Sequence, residues 1–135
     1  MAMLIRLAIA VVLLGHAAIH LAFLTPRPAT ASGPRWPFDL ERSWLVARSS
    51  APIAMVRALA GALVVALLAA YSVGAVGLVL DAPGLAATSI AIGSALSLAV
   101  LGLFPDRWLV LGAVIDVVLL WGVLVGEWST RSLPD

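Results

Sequence analysis

The stretch Trp108-Leu109-Val110-Leu111-Gly112-Ala113-Val114-Ile115-Asp116-Val117-Val118-Leu119-Leu120-Trp121-Gly122-Val123-Leu124-Val125-Gly126-Glu127-Trp128 decides the fold. Its terminal tryptophans are 20 residues apart, about 30 Å of helix at 1.5 Å per residue. That is the thickness of a bilayer's hydrocarbon core, so Trp108 and Trp128 read as belt residues at opposite interfaces. Asp116 lies near the middle, where a carboxylate costs about 2.5–3.5 kcal/mol to insert. The twelve Leu, Ile and Val residues between Leu109 and Val125 each contribute roughly 0.3–0.6 kcal/mol in favour. The apolar sum wins, so the segment is expected to insert with Asp116 turned toward a protein interior or a wet cavity.

Three more segments have the same character: about Met3 to Leu24, Ala54 to Leu80, and Leu85 to Phe104. Thr25-Pro26-Arg27-Pro28 ends the first, Asp81-Ala82-Pro83-Gly84 the second and Pro105-Asp106-Arg107 the third; proline stops a helix in each case. Composition agrees. Of 135 residues, 63% are hydrophobic and 11% charged, against about 45–50% and about 25% in a soluble domain. There is too little polar surface to coat a water-soluble globule, which argues against an ordinary cytosolic enzyme, a disordered chain or a nucleic-acid binder. The absence of cysteine excludes a disulfide, a thiolate nucleophile, an iron–sulfur cluster and a zinc finger.

In lipid a span must satisfy its own backbone hydrogen bonds, so these segments are helices or barrel strands. Runs such as Val117-Val118-Leu119-Leu120 do not alternate, which excludes a barrel. Two of the connections are short, making consecutive spans antiparallel neighbours. The expected architecture is all-α: one transmembrane domain over residues 1–135, a four-helix bundle with one long amphipathic connection (25–53) between the first and second spans. Arg27, Arg35, Arg42, Arg48 and Arg107 fall on the side of that connection, with Arg57 close by, whereas Arg6 and Arg131 fall on the side of the termini. The positive-inside rule makes the connection cytoplasmic and places both termini outside the plasma membrane. Ala29-Thr30-Ala31 offers a small-residue cleavage site, but the apolar run Leu7–Leu24 is 18 residues, longer than the usual 7–15 of a secretory signal. The first segment therefore reads as a span.

Within the connection, Pro34 and Pro37 favour extended backbone, Asp39 is placed to cap a short helix through Arg48, and Trp36, Phe38 and Trp44 suit the headgroup level. The expected role is a surface-lying connector anchored by these rings. A lid over the bundle mouth or a contact for another subunit is the sharper alternative.

Ionisable residues inside a span are costly, and so point to function. His16 and His20 share one face of the first helix. Counting from the cytoplasmic ends, His16 lies about 12 Å deep, Asp116 about 13–14 Å, and Ser97 and Ser94 about 10 and 15 Å. His20 and Arg57 both lie about 6 Å in. Two layers are expected: a deep one of His16, Asp116, Ser94 and Ser97, and a shallow one of His20 and Arg57. An unpaired buried charge is far worse than a paired one, so His16 and Asp116 are expected to be hydrogen-bonded. Such a cluster is polar glue between helices, a proton site or a metal site. The metal candidates are His16, His20 and Asp116. Both histidines sit on one helix, so a haem would find a single axial ligand in one chain, and no cofactor is expected. Two small-residue rows, Gly122/Gly126 and Ala58-Ala62-Ala66-Ala70-Gly74, permit close helix approach or dimerisation. Tyr71 and Ser72 fall toward the outer half of the second span, without an assigned role.

The opening Leu4-Ile5-Arg6-Leu7-Ala8-Ile9-Ala10, continuing to Gly15-His16-Ala17-Ala18-Ile19-His20-Leu21, is similar to the first helix of DoxX-like small membrane proteins: an arginine at the start, then a glycine, then a polar residue, within about four spans. The similarity covers the first 24 residues and the general layout. It implies an accessory membrane subunit linked to quinone or thiol redox systems, and carries over no catalytic residue. Two functions therefore stand side by side: a non-catalytic accessory membrane protein held together by its polar layers, and a small proton-coupled transporter using His16 and Asp116. The expected partners are the bilayer and a second copy or larger membrane complex, with no nucleic acid. No nucleophile–base pair or phosphate loop suggests an enzyme.

Overall fold

The computed structural model describes residues 2–25 and 36–125. Trp128, Gly126, Arg27, Arg35, Arg131 and the Ala29-Thr30-Ala31 stretch lie outside the described residues. Among those described there is no strand. The helices are α1 (Ala2–Ile19), α2 (Trp44–Ser49), α3 (Ile53–Val79), α4 (Pro83–Leu103) and α5 (Val110–Leu124). Four segments are long and apolar enough to cross a membrane: Met3–Leu24, Ile53–Val79, Pro83–Leu103 and Arg107–Leu124. Their bounds lie within a few residues of those expected from the sequence.

Local chemistry accounts for the ends. The last residues of the first segment, His20–Leu24, tighten into a 3₁₀ turn ahead of Pro26. α3 closes in a Schellman motif: the Ala82 amide donates to the Gly77 carbonyl at 2.8 Å and the Asp81 amide to Leu78 at 3.3 Å. Asp81 takes the left-handed conformation this requires, with φ of 56°, a region that aspartate tolerates better than most residues. Pro83 then opens α4 at its first turn, where no amide is needed. The third helix thus begins two residues earlier than the sequence suggested, because a proline that ends one helix is also suited to start the next.

The helices run up and down in a curved row. α1 packs on α3, α3 on α4, and α4 on α5. Successive close approaches show the antiparallel order. A Cβ on Gly77 would stand 2.9 Å from the Ala86 amide nitrogen, and one on Gly74 would stand 3.0 Å from Ile90, so α3 and α4 touch almost backbone to backbone. At one end of the bundle Arg6 pairs with Asp81 at 2.7 Å, tying the start of α1 to the α3–α4 turn. At the other end Phe23 packs against Phe38 and Phe104, with ring centroids 5.0 and 5.4 Å away. Leu13, Val56, Val64, Leu67, Tyr71 and Val100 fill the interior. Across the seam between α1 and α5 the described backbones barely approach one another.

The outward surface is apolar. Val11, Val65, Leu111, Trp121 and Leu124 are all exposed. The alanine row on α3 belongs to this outward side: Ala58, Ala62 and Ala66 are exposed and only Gly74 is buried. The inward side of α3 is instead Val56, Ala60, Val64, Leu67, Tyr71 and Gly74. On α5, Gly122 is buried.

The connection differs from the single capped helix expected over 39–48. Asp39 caps only a 3₁₀ turn, Leu40–Arg42, through a 3.0 Å bond from the Glu41 amide. Ser43 then interrupts with extended backbone and caps α2 itself, accepting from the Leu45 amide at 3.2 Å. The same Ser43 hydroxyl lies 3.0 Å from the Leu103 carbonyl, and Trp44 Nε1 donates to the Gly102 carbonyl at 3.0 Å. Both carbonyls belong to the last turn of α4, where a helix lacks internal partners. The connection is therefore stitched to the end of α4 through orphan acceptors.

Candidate functional site: a buried histidine–aspartate cluster

Helical spacing builds the site. His16 on α1 and His20 at the start of the 3₁₀ turn that continues it are one turn apart, as are Ser94 and Ser97 on α4, and these faces meet Tyr71 of α3 and Asp116 of α5. All six side chains are buried, and Asp116 has no solvent exposure.

Asp116 is the hub. His16 Nε2 lies 2.8 Å from its Oδ1, the Tyr71 hydroxyl donates to the same oxygen at 2.6 Å, and the Ser97 hydroxyl contacts Oδ2 at 2.5 Å. Three helices thus converge on one carboxylate contributed by the fourth. Tyr71 gives its only proton to Asp116, so it must accept from Ser94 at 3.0 Å. His20 Nδ1 lies 3.1 Å from the His16 carbonyl, which can only accept, so Nδ1 carries a proton. His20 Nε2 lies 2.9 Å from Ser97. The imidazoles stand edge to face at 5.2 Å between centroids. Gly93 makes room for the cluster: a Cβ there would stand 2.9 Å from Cδ1 of Tyr71. Gly112 of α5 faces the cluster, and a Cβ there would lie within ordinary contact distance of Cε1 of His16, at 3.6 Å.

Of the residues singled out from sequence, the structure brings together His16, Asp116, Ser94, Ser97 and His20. It does not bring Arg57, which is exposed on α3. The expected shallow layer is therefore not formed. Depth along the helix was matched, but Arg57 lies about 100° round the helix from its buried neighbour Val56. His20 joins the deep layer instead, through Ser97. Tyr71 is the site residue the sequence reading left unassigned. His16, His20 and Asp116 do not converge as three metal ligands: His16 Nε2 faces Asp116, His20 Nε2 faces Ser97, and among the described residues no group of three His, Cys, Asp or Glu side chains has a metal-holding arrangement.

The aromatic residues of the connection sit beside the site's His20 end. Trp36 is partly buried against Phe38, 5.4 Å between centroids, and its Nε1 is buried without a partner. Trp44 is exposed yet tethered through its indole nitrogen. Trp108 is exposed, with the Arg107 guanidinium 5.6 Å from its ring centre.

Comparison with family models, with curated proteins and with solved structures finds no match. The reading of this cluster rests on its own chemistry.

Proposed function

We propose that the chain is a small multi-pass plasma-membrane protein whose buried His16–Asp116 centre takes up and releases a proton. The outer surface supports the membrane part of this reading, because helices this long with large apolar side chains facing outward are suited to a lipid solvent. The arginine distribution supports a cytoplasmic connection with both termini outside. One observation carries the proton role: a carboxylate with no solvent exposure receives donors from three other helices, one of them an imidazole 2.8 Å away. Intramembrane carboxylate–histidine groups of this kind are the usual elements of proton relays. The proposed partners are the bilayer and a second copy of the chain, since so small a bundle needs another protomer to enclose a path for any co-transported solute.

A second reading is an accessory subunit in which the cluster is only a clasp. It is favoured by the seam between α1 and α5, where His16 and Asp116 meet although the backbones barely do. Proteoliposomes separate the two. Under an imposed potential, wild-type protein should carry protons measured by an internal pH dye, and Asp116→Asn should lose that flux. Equal flux in the two proteins leaves the clasp.

A further inference from the structure

Ser97 carries one hydroxyl proton, and two neighbours compete for it. Asp116 Oδ2 lies at 2.5 Å and His20 Nε2 at 2.9 Å. His16 Nε2 is a distant third at 3.5 Å and has its own shorter bond to Oδ1. The Nδ1 atom of His20 is already a donor to the His16 carbonyl. If His20 is neutral, its Nε2 is therefore a bare acceptor. If Asp116 is ionised, its Oδ2 is also a bare acceptor. With both true, Ser97 has one proton for two acceptors, and one of these close contacts sets lone pair against lone pair.

With a single proton on the His20–Asp116 pair, both contacts are satisfied together in two ways. In the first, His20 is the imidazolium: Nε2–H donates to Ser97 Oγ, and the Ser97 hydroxyl donates to the Asp116 carboxylate. In the second, Asp116 is the acid: its Oδ2–H donates to Ser97 Oγ, and the Ser97 hydroxyl donates to neutral His20. The two differ only by two short hops. The Nε2 proton passes to Ser97 Oγ while the Ser97 proton passes to Oδ2, and an ion pair becomes a neutral pair. No atom moves appreciably, and the net charge of the pair is zero in both.

We propose that Ser97 is a proton relay between His20 and Asp116, and that the resting site holds one proton shared along His20–Ser97–Asp116. The proposal rests on the proton-handling reading of the centre and names its path. His20 is the end of the relay nearest the Phe23–Phe38–Phe104 rings that close the bundle, and Asp116 is its inner end. The titratable groups facing the relay are His16 from α1, His20 from the 3₁₀ turn that follows it, Tyr71 from α3 and Asp116 from α5; α4 supplies only the hydroxyls of Ser94 and Ser97. Among the described residues no arginine contacts it, so the carboxylate is balanced by protons held on the cluster itself, on the imidazoles or along the relay. Losing the shared proton frees Ser97 to bond one neighbour only, which makes proton release and opening of one contact the same event.

The test compares wild type, Ser97→Ala, Ser97→Thr and Asp116→Asn, by ¹⁵N NMR of the histidines in nanodiscs and by proton flux in proteoliposomes. The His20 Nε2 resonance is expected between its protonated and bare positions in wild type and Ser97→Thr, and at one extreme in Ser97→Ala. Flux is expected to fall about tenfold or more in Ser97→Ala and to stay within about threefold of wild type in Ser97→Thr, as for loss and retention of a proton-transfer group. Wild-type flux and an unshifted His20 Nε2 signal in Ser97→Ala, with flux lost in Asp116→Asn, overturn the relay and leave the proton role of Asp116. Equal flux in wild type and Asp116→Asn overturns the proton role itself; the wild-type Nε2 position then decides the shared proton alone. If Ser97→Ala does not fold, a wild-type Nε2 signal at either extreme overturns the shared proton.

Discussion

His16 and Asp116 are separated by 100 positions in the chain and by 2.8 Å in space. Removing one member of a buried pair leaves the other without its partner, at a cost of about 3–5 kcal/mol. Asp116→Ala should lower unfolding stability in detergent by that order. Asp116→Asn, which keeps the shape and one acceptor, should lose clearly less. The hydrogen-bonded Nε2 proton of His16 should disappear from the NMR spectrum of the alanine variant. Its persistence there would show that the imidazole is held by something else.

Gly93 is where the tyrosine gets its space. A methyl group at this position would stand 2.9 Å from Tyr71 Cδ1 and 3.0 Å from its Cε1. The ring is fully buried and cannot swing clear. Gly93→Ala should therefore cost about 1–3 kcal/mol by overpacking and pull the phenol away from Asp116. Gly102→Ala meets nothing within 4 Å and should be neutral or slightly stabilising, since alanine is the better helix former by about 1 kcal/mol. Thermal unfolding of the two variants side by side checks the contrast.

Gly77 sets the separation of α3 and α4. Its added Cβ would meet backbone, the Ala86 nitrogen at 2.9 Å and Cα at 3.1 Å, which no side-chain rotation relieves. Gly77→Ala should destabilise at least as much as Gly93→Ala. It should also weaken the Tyr71–Ser94 bond, because the same two helices carry both residues. Hydrogen exchange of α3 and α4 amides reports the first effect, and the Tyr71 ring resonances report the second.

The connection should come loose when its two stitches are cut. Ser43→Ala removes a helix cap and the bond to Leu103, and Trp44→Phe removes the bond to Gly102. Each change should cost about 1 kcal/mol, and the double variant should expose residues 36–50 to limited proteolysis while the four long helices persist. Equal cleavage in wild type and double variant would place the anchor elsewhere.

The long helices were legible because membrane-length apolar runs punctuated by proline admit little else. Pairing of His16 with Asp116 was legible because rise per residue is uniform, so depth along a span can be counted. What counting cannot supply is direction around the axis. Beyond Arg57, α3 is apolar on nearly every side, so no polar stripe showed which way Val56 and Arg57 point or that the alanine row faces out. Tyr71 was missed for a different reason: depth was measured from the far start of a 27-residue helix. Counted from the α3–α4 turn, Tyr71 lies about ten residues before it and Ser94 about ten after, both about 15 Å away. Helices joined by a tight turn keep register from that turn, and this count would have paired the two. The split at Ser43 was hidden because its hydroxyl acts through the Leu103 carbonyl, a partner sixty positions on.

The row of helices closes only where α1 meets α5, and that meeting has a consequence for biosynthesis. α1 leaves the ribosome first and α5 last among the helices described here, so His16 waits for its carboxylate until every intervening helix has been made. The cluster therefore forms only once α5 has been made. A product that stalls before α5 exposes an imidazole without its carboxylate, a flaw that the quality-control machinery of a cell can sense before the protein is put to use.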